Sequence, residues 1–305
     1  MVPVREALLA GPTAAAPRWY AHRLNRAAVY RIGAVLAGVL PRALRLRAAQ
    51  AVATAAAGRF PDERAVVRAT LARIVHGATP AELDGLVAEV FRNFAVCFTD
   101  LITTNRAHRA EKLLASTEGM EHLATAERLG RGLVVVTAHL GNWELGGRLL
   151  AGTVTRPTHV VVAPEQDPGV ERFLRADGGP VRFLTRTSPL DVLPLVSALR
   201  RNEVVALQGD RALGGRGDRR QTFFGVPAPF PLGPFILARA ARAPVLPAFC
   251  LLRPDRRYTI AIGEPWTVAA GGEVQALVRW VSVLERMIRQ HPTQWFNFYD
   301  VWTTC

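Results

Sequence analysis

The chain has 305 residues, half of them hydrophobic, with a mean hydropathy of +0.13 and a formal net charge of +13. That length suffices for a large core in one α/β unit or two small ones. No run of about 18 to 20 uncharged apolar residues occurs, which excludes a clean transmembrane helix and leaves a weak anchor or an interfacial helix open.

The first 60 residues hold nine arginines against one acid, Glu6, and only one basic residue of the 38, Lys112, is a lysine. A basic excess of this size implies an anionic partner: lipid headgroups, nucleic acid, or an acidic protein or cofactor. The cysteines Cys97, Cys250 and Cys305 are odd in number and lack CxxC spacing. They suggest a reducing compartment, with neither a disulfide framework nor a zinc site.

In chain order, residues 18 to about 113 read as helical. RWYAHRLNRAAVYRIGAVLAGVL is amphipathic, its best apolar stretch (Ala27 to Leu40) interrupted by Arg31 and lacking a secretory cleavage pattern. An Ala-rich helix runs from Pro41 to about Ala57, and Pro61-Asp62 starts a third. The fourth is TPAELDGLVAEVFRNFAVCFTDLIT, with Thr79 as N-cap, Pro80 in the first helical position and a core stripe through Leu86, Val90, Phe94 and Val96-Cys97.

From Leu114 short apolar runs alternate with helical segments. Strands are expected at Leu133–Thr137, His159–Ala163, Val181–Leu184, Val204–Leu207, Ala243–Leu252 and Tyr258–Ile262. Helices are expected between them, as at Trp143–Leu150, Leu190–Arg201 and Pro231–Ala241. This alternation predicts an α/β fold with a mostly parallel central sheet covered by helices. Residues 1–113 would form a helical, membrane-facing segment and 114–305 the catalytic α/β region, together one structural unit.

The chemistry concentrates at two strand ends. LVVVTAHLGNWELGG runs from a strand into His139, a turn through Gly141 and Asn142, and Glu144. With Asn142 as cap, Glu144 falls in the first turn of the next helix, from where its carboxylate would orient the imidazole. The bland alternative is a strand-end histidine satisfied by backbone. The second strand end is VVALQGDRALGGRGDRRQTFFGVPAPFP, where Asp210 and Arg211 follow the strand and Arg216, Arg219 and Arg220 precede Phe223-Phe224-Gly225. Bidentate arginine contacts to phosphate or carboxylate and a plain solvated loop both fit it. Near the end, Trp295 to Trp302 carries five aromatics in eight residues, suited to a core strand, a membrane-interface belt or a stacking surface. No HExxH, GxSxG or P-loop is present.

Taken in order, HLGNWE, GDR, TFFG, APVLPAF and E-x-x-I-R-x-x-P-x-Q-W resemble the lipid A biosynthesis late acyltransferases, the lauroyl/myristoyl transferase family, to which phosphatidylinositol mannoside acyltransferases are related. The resemblance spans about residues 139 to 295 and implies a glycerolipid-acyltransferase-like fold. It implies His139 as general base with Glu144 as its partner. It also implies a substrate-binding role for Asp210, Arg211, Gly141, Asn142, Phe223, Phe224 and Gly225. The oxyanion would be met by Arg211 or by turn amides near Gly141. No metal or resident cofactor is implied; acyl carrier protein or acyl-CoA is the co-substrate, and a membrane glycolipid hydroxyl the acceptor, at the cytoplasmic face of the inner membrane. The ending FNFYDVW departs from the Trp- and Arg-rich ending of the better-known members, so the acceptor stays open. Two other readings stand beside this one: a basic nucleic-acid- or surface-binding protein, and a lipid ester hydrolase using the same histidine.

Overall fold

The computed structural model describes residues 25–104, 110–154, 156–165, 167–175, 181–185, 192–212, 214 and 217–303. Residues 18–24 of the first expected helix, the start of the helix expected at Leu190, Arg216 and Cys305 lie outside them.

Among the described residues, four helices come first: α1 (Ala27–Val39), α2 (Arg42–Ala56), α3 (Pro61–Ile74) and α4 (Pro80–Thr104). Prolines punctuate them, with Pro61 in the first turn of α3 where its missing N–H is no loss. Thr79 and Glu82 close α4 reciprocally. The Thr79 N–H donates to Glu82 Oε2 at 2.7 Å, and the Glu82 N–H donates to Thr79 Oγ1 at 3.3 Å.

The rest alternates. β1 (Leu114–Glu118), α5 (Met120–Glu127), β2 (Leu133–Thr137), α6 (Trp143–Thr153), β3 (Thr158–Val162), α7 (Pro168–Leu174) and β4 (Val181–Thr185) lead to α8 (Val192–Arg200) and β5 (Val204–Gln208). A hairpin of β6 (Asp218–Phe223) and β7 (Val226–Pro231) follows, then α9 (Gly233–Ala241), β8 (Val245–Leu252), β9 (Tyr258–Ile262) and α10 (Glu273–Gln290). The seven-stranded sheet has the order β1-β9-β8-β2-β5-β3-β4. Its pairings are parallel except β8 with β9, so the fold is α/β with a mostly parallel, helix-covered sheet.

Burial on both faces explains the continuous apolar runs of the central strands. Val134 and Val136 of β2 face a core built with Leu195 and Leu199 of α8, Phe235 of α9, and Leu277, Trp280 and Leu284 of α10. Leu133 and Val135 face the other way, into a core shared with Leu71 of α3, Val87 and Val90 of α4, and Leu145 and Leu149 of α6. Helices α2, α3 and α4 thus help cover that face of the sheet. Among the described residues no helix is long and apolar enough to cross a membrane.

Three elements differ from expectation. TFFG, read as loop, is the tip of the β6–β7 hairpin, where Phe223 pairs with Val226 across Phe224 and Gly225. Both tip residues have positive φ, 48° and 80°, the geometry of a two-residue primed turn. Phe is a poor residue there, but its N–H donates to Glu285 Oε1 at 2.6 Å and Arg289 covers its ring at 4.9 Å. Pro231 consequently ends β7, and α9 starts at Gly233. β1 is short and half-polar and shows no apolar run. Finally, ERMIRQ belongs to α10, which buries Leu277, Trp280, Val281, Leu284 and Ile288 along one stripe.

Candidate active site

β2 and β5 are parallel neighbours with Thr137 opposite Gln208. Two residues beyond that pair stand His139 on one strand end and Asp210 on the other. The sheet thereby joins side chains far apart in the chain: His139 Nδ1 lies 2.9 Å from Asp210 Oδ1, and the His139 main-chain N–H donates to Asp210 Oδ2 at 3.0 Å. The Trp295 indole N–H donates to the same Oδ2 at 3.1 Å. Behind Asp210, Gly209 is gripped from α10, with the Trp280 indole donating to its carbonyl at 2.8 Å. A Cβ on Gly209 would lie 2.7 Å from Val136 Cγ1 and 2.8 Å from Trp280 Nε1, so the strand end admits only glycine.

The turn carrying His139 is tied on every side. Phe296 N–H donates to the His139 carbonyl at 2.9 Å, Gly141 N–H to the Gln294 carbonyl at 2.8 Å, and Asn142 N–H to the Cys250 carbonyl at 2.8 Å. Gln294 itself is fixed by reciprocal bonds with the Leu252 backbone, both 2.8 Å. Asn142 caps α6 by accepting from Leu145 N–H at 3.3 Å.

Electrostatics follow from burial. Burial first and Arg211 second lower the His139 pKa, against the opposing pull of Asp210, to about 4. Burial alone would raise the Asp210 pKa, but His139, Arg211 and the Trp295 hydrogen bond hold it well below the usual carboxylate range. The pair is therefore a neutral imidazole on an ionised carboxylate at neutral pH. An anionic partner on Nδ1 makes that nitrogen the donor and directs the other, Nε2, to accept a proton. Arg211 donates to the Phe296 carbonyl at 2.9 Å and lies over the Tyr299 ring at 5.3 Å.

A His–carboxylate pair at the carboxyl ends of a parallel sheet is shared by several chemistries, and comparison with known proteins decides among them. A family profile described as bacterial lipid A biosynthesis acyltransferase matches residues 20–304. The chain belongs to that family. It is an acyltransferase of lipid biosynthesis. It is 28% identical over 246 residues to a phosphatidylinositol mannoside acyltransferase of Mycobacterium tuberculosis, covering 77% of this chain and 76% of that one. It is also 24% identical over 221 residues to the lipid A biosynthesis palmitoleoyltransferase of Escherichia coli, covering 70% of each. A lauroyltransferase of Escherichia coli is 27% identical over 183 residues, 58% of each chain.

Within this acyltransferase the expected site residues separate into groups. His139, Asp210 and Arg211 come together, but the ring contact expected of Glu144 is made by Asp210. Glu144 is instead under the electrostatic influence of Glu165, Arg175 and Arg148. Burial and Glu165 raise its pKa there, while the two arginines oppose the rise. From the first turn of α6 it borders an apolar groove between that helix and the sheet, whose walls include Gly147, Leu150, Val160 and Phe183. Trp143, beside it, rests its ring 4.7 Å from that of His139.

The backbone amides of Gly141 and Asn142, expected as oxyanion donors, are spent on Gln294 and Cys250. Phe223 is fully buried and offers an acceptor no surface. It packs at 5.5 Å against Trp295, and so supports Asp210 from behind. Phe224 is buried too, and Gly225 turns the hairpin tip. Trp295, Gln294, Phe296 and Trp280 were not expected at the site. The nearest signal in the sequence was the aromatic cluster after Pro292, in which core, interface and stacking roles look alike.

Proposed function

We propose that this acyltransferase moves a fatty acyl chain from a thioester, on acyl carrier protein or coenzyme A, to a hydroxyl of a membrane glycolipid of the lipid A or phosphatidylinositol mannoside kind. The observation that carries the mechanism is the buried His139–Asp210 pair at the end of β2. His139 Nε2 takes the proton of the acceptor hydroxyl as its oxygen attacks the thioester carbonyl. A C–O bond forms and the carbonyl oxygen becomes an oxyanion, beside which the Arg211 guanidinium supplies positive charge. Collapse breaks the C–S bond, and the proton on His139 passes to the departing thiolate. Asp210 keeps the tautomer and stabilises the imidazolium without itself taking the proton. No resident cofactor enters these steps. The apolar groove beside α6 suits a hydrocarbon chain.

The helices α1 and α2 suit the protein to the cytoplasmic face of a membrane. Ile32, Val35, Leu36 and Val39 are 60, 68, 66 and 79% exposed, and no acidic residue occurs between Glu6 and Asp62. Exposed apolar side chains on a basic helix fit an anionic lipid surface, which also accounts for the basic charge without nucleic acid.

The test is acyl transfer by the purified protein to a glycolipid extract, with both thioester donors tried and products read as a mass gain of one acyl group. His139→Ala and Asp210→Asn are each expected to lower kcat by about 10²- to 10⁴-fold. Wild-type rates in His139→Ala would overturn the mechanism. Rapid consumption of donor in the absence of acceptor would make the protein a hydrolase.

A further inference from the structure

On the side away from Asp210, a second buried polar chain reaches the catalytic turn. The Asn142 side-chain amide donates to the Cys97 carbonyl at 3.0 Å and to Tyr258 Oη at 3.2 Å. The Tyr258 hydroxyl donates onward to Asp100 Oδ2 at 2.9 Å. Asp100, its side chain fully buried, receives Arg42 through both oxygens, at 2.9 Å on Oδ1 and 2.6 Å on Oδ2. Arg42 is the first residue of α2, whose Leu44 and Val52 are 50 and 66% exposed.

The order of donors decides what this chain does. Asp100, which receives Arg42 through both oxygens, also accepts from the Tyr258 hydroxyl, so Tyr258 Oη meets Asn142 only as an acceptor. That fixes the Asn142 NH2 on the Tyr258 side and leaves its Oδ1 facing the Leu145 N–H, which it caps. The Cys97 carbonyl, which can only accept, demands the same amide orientation, so two partners together hold the NH2 away from the start of α6. A buried polar chain that is fully satisfied in this way rigidifies the groups it joins.

Resting on the acyl-transfer reading of His139, we infer that Asp100 and Tyr258 are positioning residues for the catalytic turn, acting through Asn142, and that Arg42 links that position to the seating of α2 on a lipid surface. Catalysis then depends on how the exposed helices sit, although none of the three residues touches the reacting atoms.

The test uses the full chain with and without vesicles of phosphatidylglycerol and phosphatidylcholine. It reads acyl-transfer kinetics and hydrogen exchange of the 139–145 amides. Tyr258→Phe, which removes one oxygen, is expected to lower kcat about tenfold with KM changed less than twofold, and to speed exchange in the turn. Vesicles are expected to slow that exchange in the wild type and not in Arg42→Gln. Ser116→Ala, which removes the 2.8 Å bond to Thr259 next to Tyr258, serves as the structural control: kcat and turn exchange should stay at wild-type values. Wild-type kcat and exchange in Tyr258→Phe would overturn the positioning role, and equal vesicle protection in Arg42→Gln would overturn the link to α2. A wild-type chain with a protected turn but no acyl transfer would instead count against the catalytic reading.

Discussion

His139 is only 4% exposed, and its pKa of about 4 lies below the usual 6.5 because the charged ring is poorly solvated and faces Arg211. A base must be neutral, so kcat/KM is expected to stay flat from neutral pH down to about 5 and to fall near 4. An acid limb at 6.5 would contradict the burial argument. The stability consequence has the same sign. Between about pH 4 and 6.5 the unfolded chain binds the proton more readily than the folded one, so this residue's contribution is full above 6.5 and is lost on acidification to 4. Asp210→Asn removes a group that favours the charged ring, and the limb should move to lower pH as kcat drops. Glu144→Gln should leave the limb in place, since Asp210, not Glu144, is hydrogen-bonded to the ring. The sequence showed His139, Asp210 and Arg211 as strand-end residues. It did not show which carboxylate meets the ring, because that depends on β5 lying beside β2 with β3 and β4 intervening in the chain but not between them in the sheet.

At the scale of elements, the turn after β2 is limited by close approach of backbone to backbone. Gly141 has φ +65°, and a Cβ there would sit 2.0 Å from the Cys250 carbonyl oxygen. Gly141→Ala therefore has to push β8 away and weaken the Asn142–Cys250 bond. The expected loss is about 2–4 kcal/mol in chemical denaturation, from the left-handed backbone penalty plus a buried hydrogen bond. Gly225, with φ +80° and open space around a Cβ, should lose only about 1 kcal/mol or slightly more on mutation to alanine. The apolar strands were legible in the sequence to within a residue or two, because burial on both faces leaves uninterrupted Val and Leu. The β6–β7 hairpin was not, since its arginines and prolines suppress any strand pattern and its turn uses Phe-Gly in place of the usual Asn-Gly. Helix α10 has a clear apolar stripe, but the aromatic residues that follow it are the more conspicuous feature of that stretch of sequence.

At the scale of the whole molecule, the charge and apolar exposure gathered on the first helices predict a salt-sensitive attachment. Ile32→Glu combined with Leu36→Glu alters two exposed positions, so the melting temperature should hold while co-sedimentation with anionic vesicles falls at least tenfold. Unchanged sedimentation would remove α1 from the lipid surface. The fold class was legible because alternating strands and helices admit few other architectures. The attachment of the aromatic segment to the site was not, since long-range contacts leave no local signature. That attachment has a consequence for biogenesis. His139, Gly141 and Asp210 are all held by Gln294, Trp295 and Phe296, so a chain still on the ribosome carries the histidine for some 150 residues of synthesis without a working site. The turn after β2 therefore stays without these ties until that segment has been made.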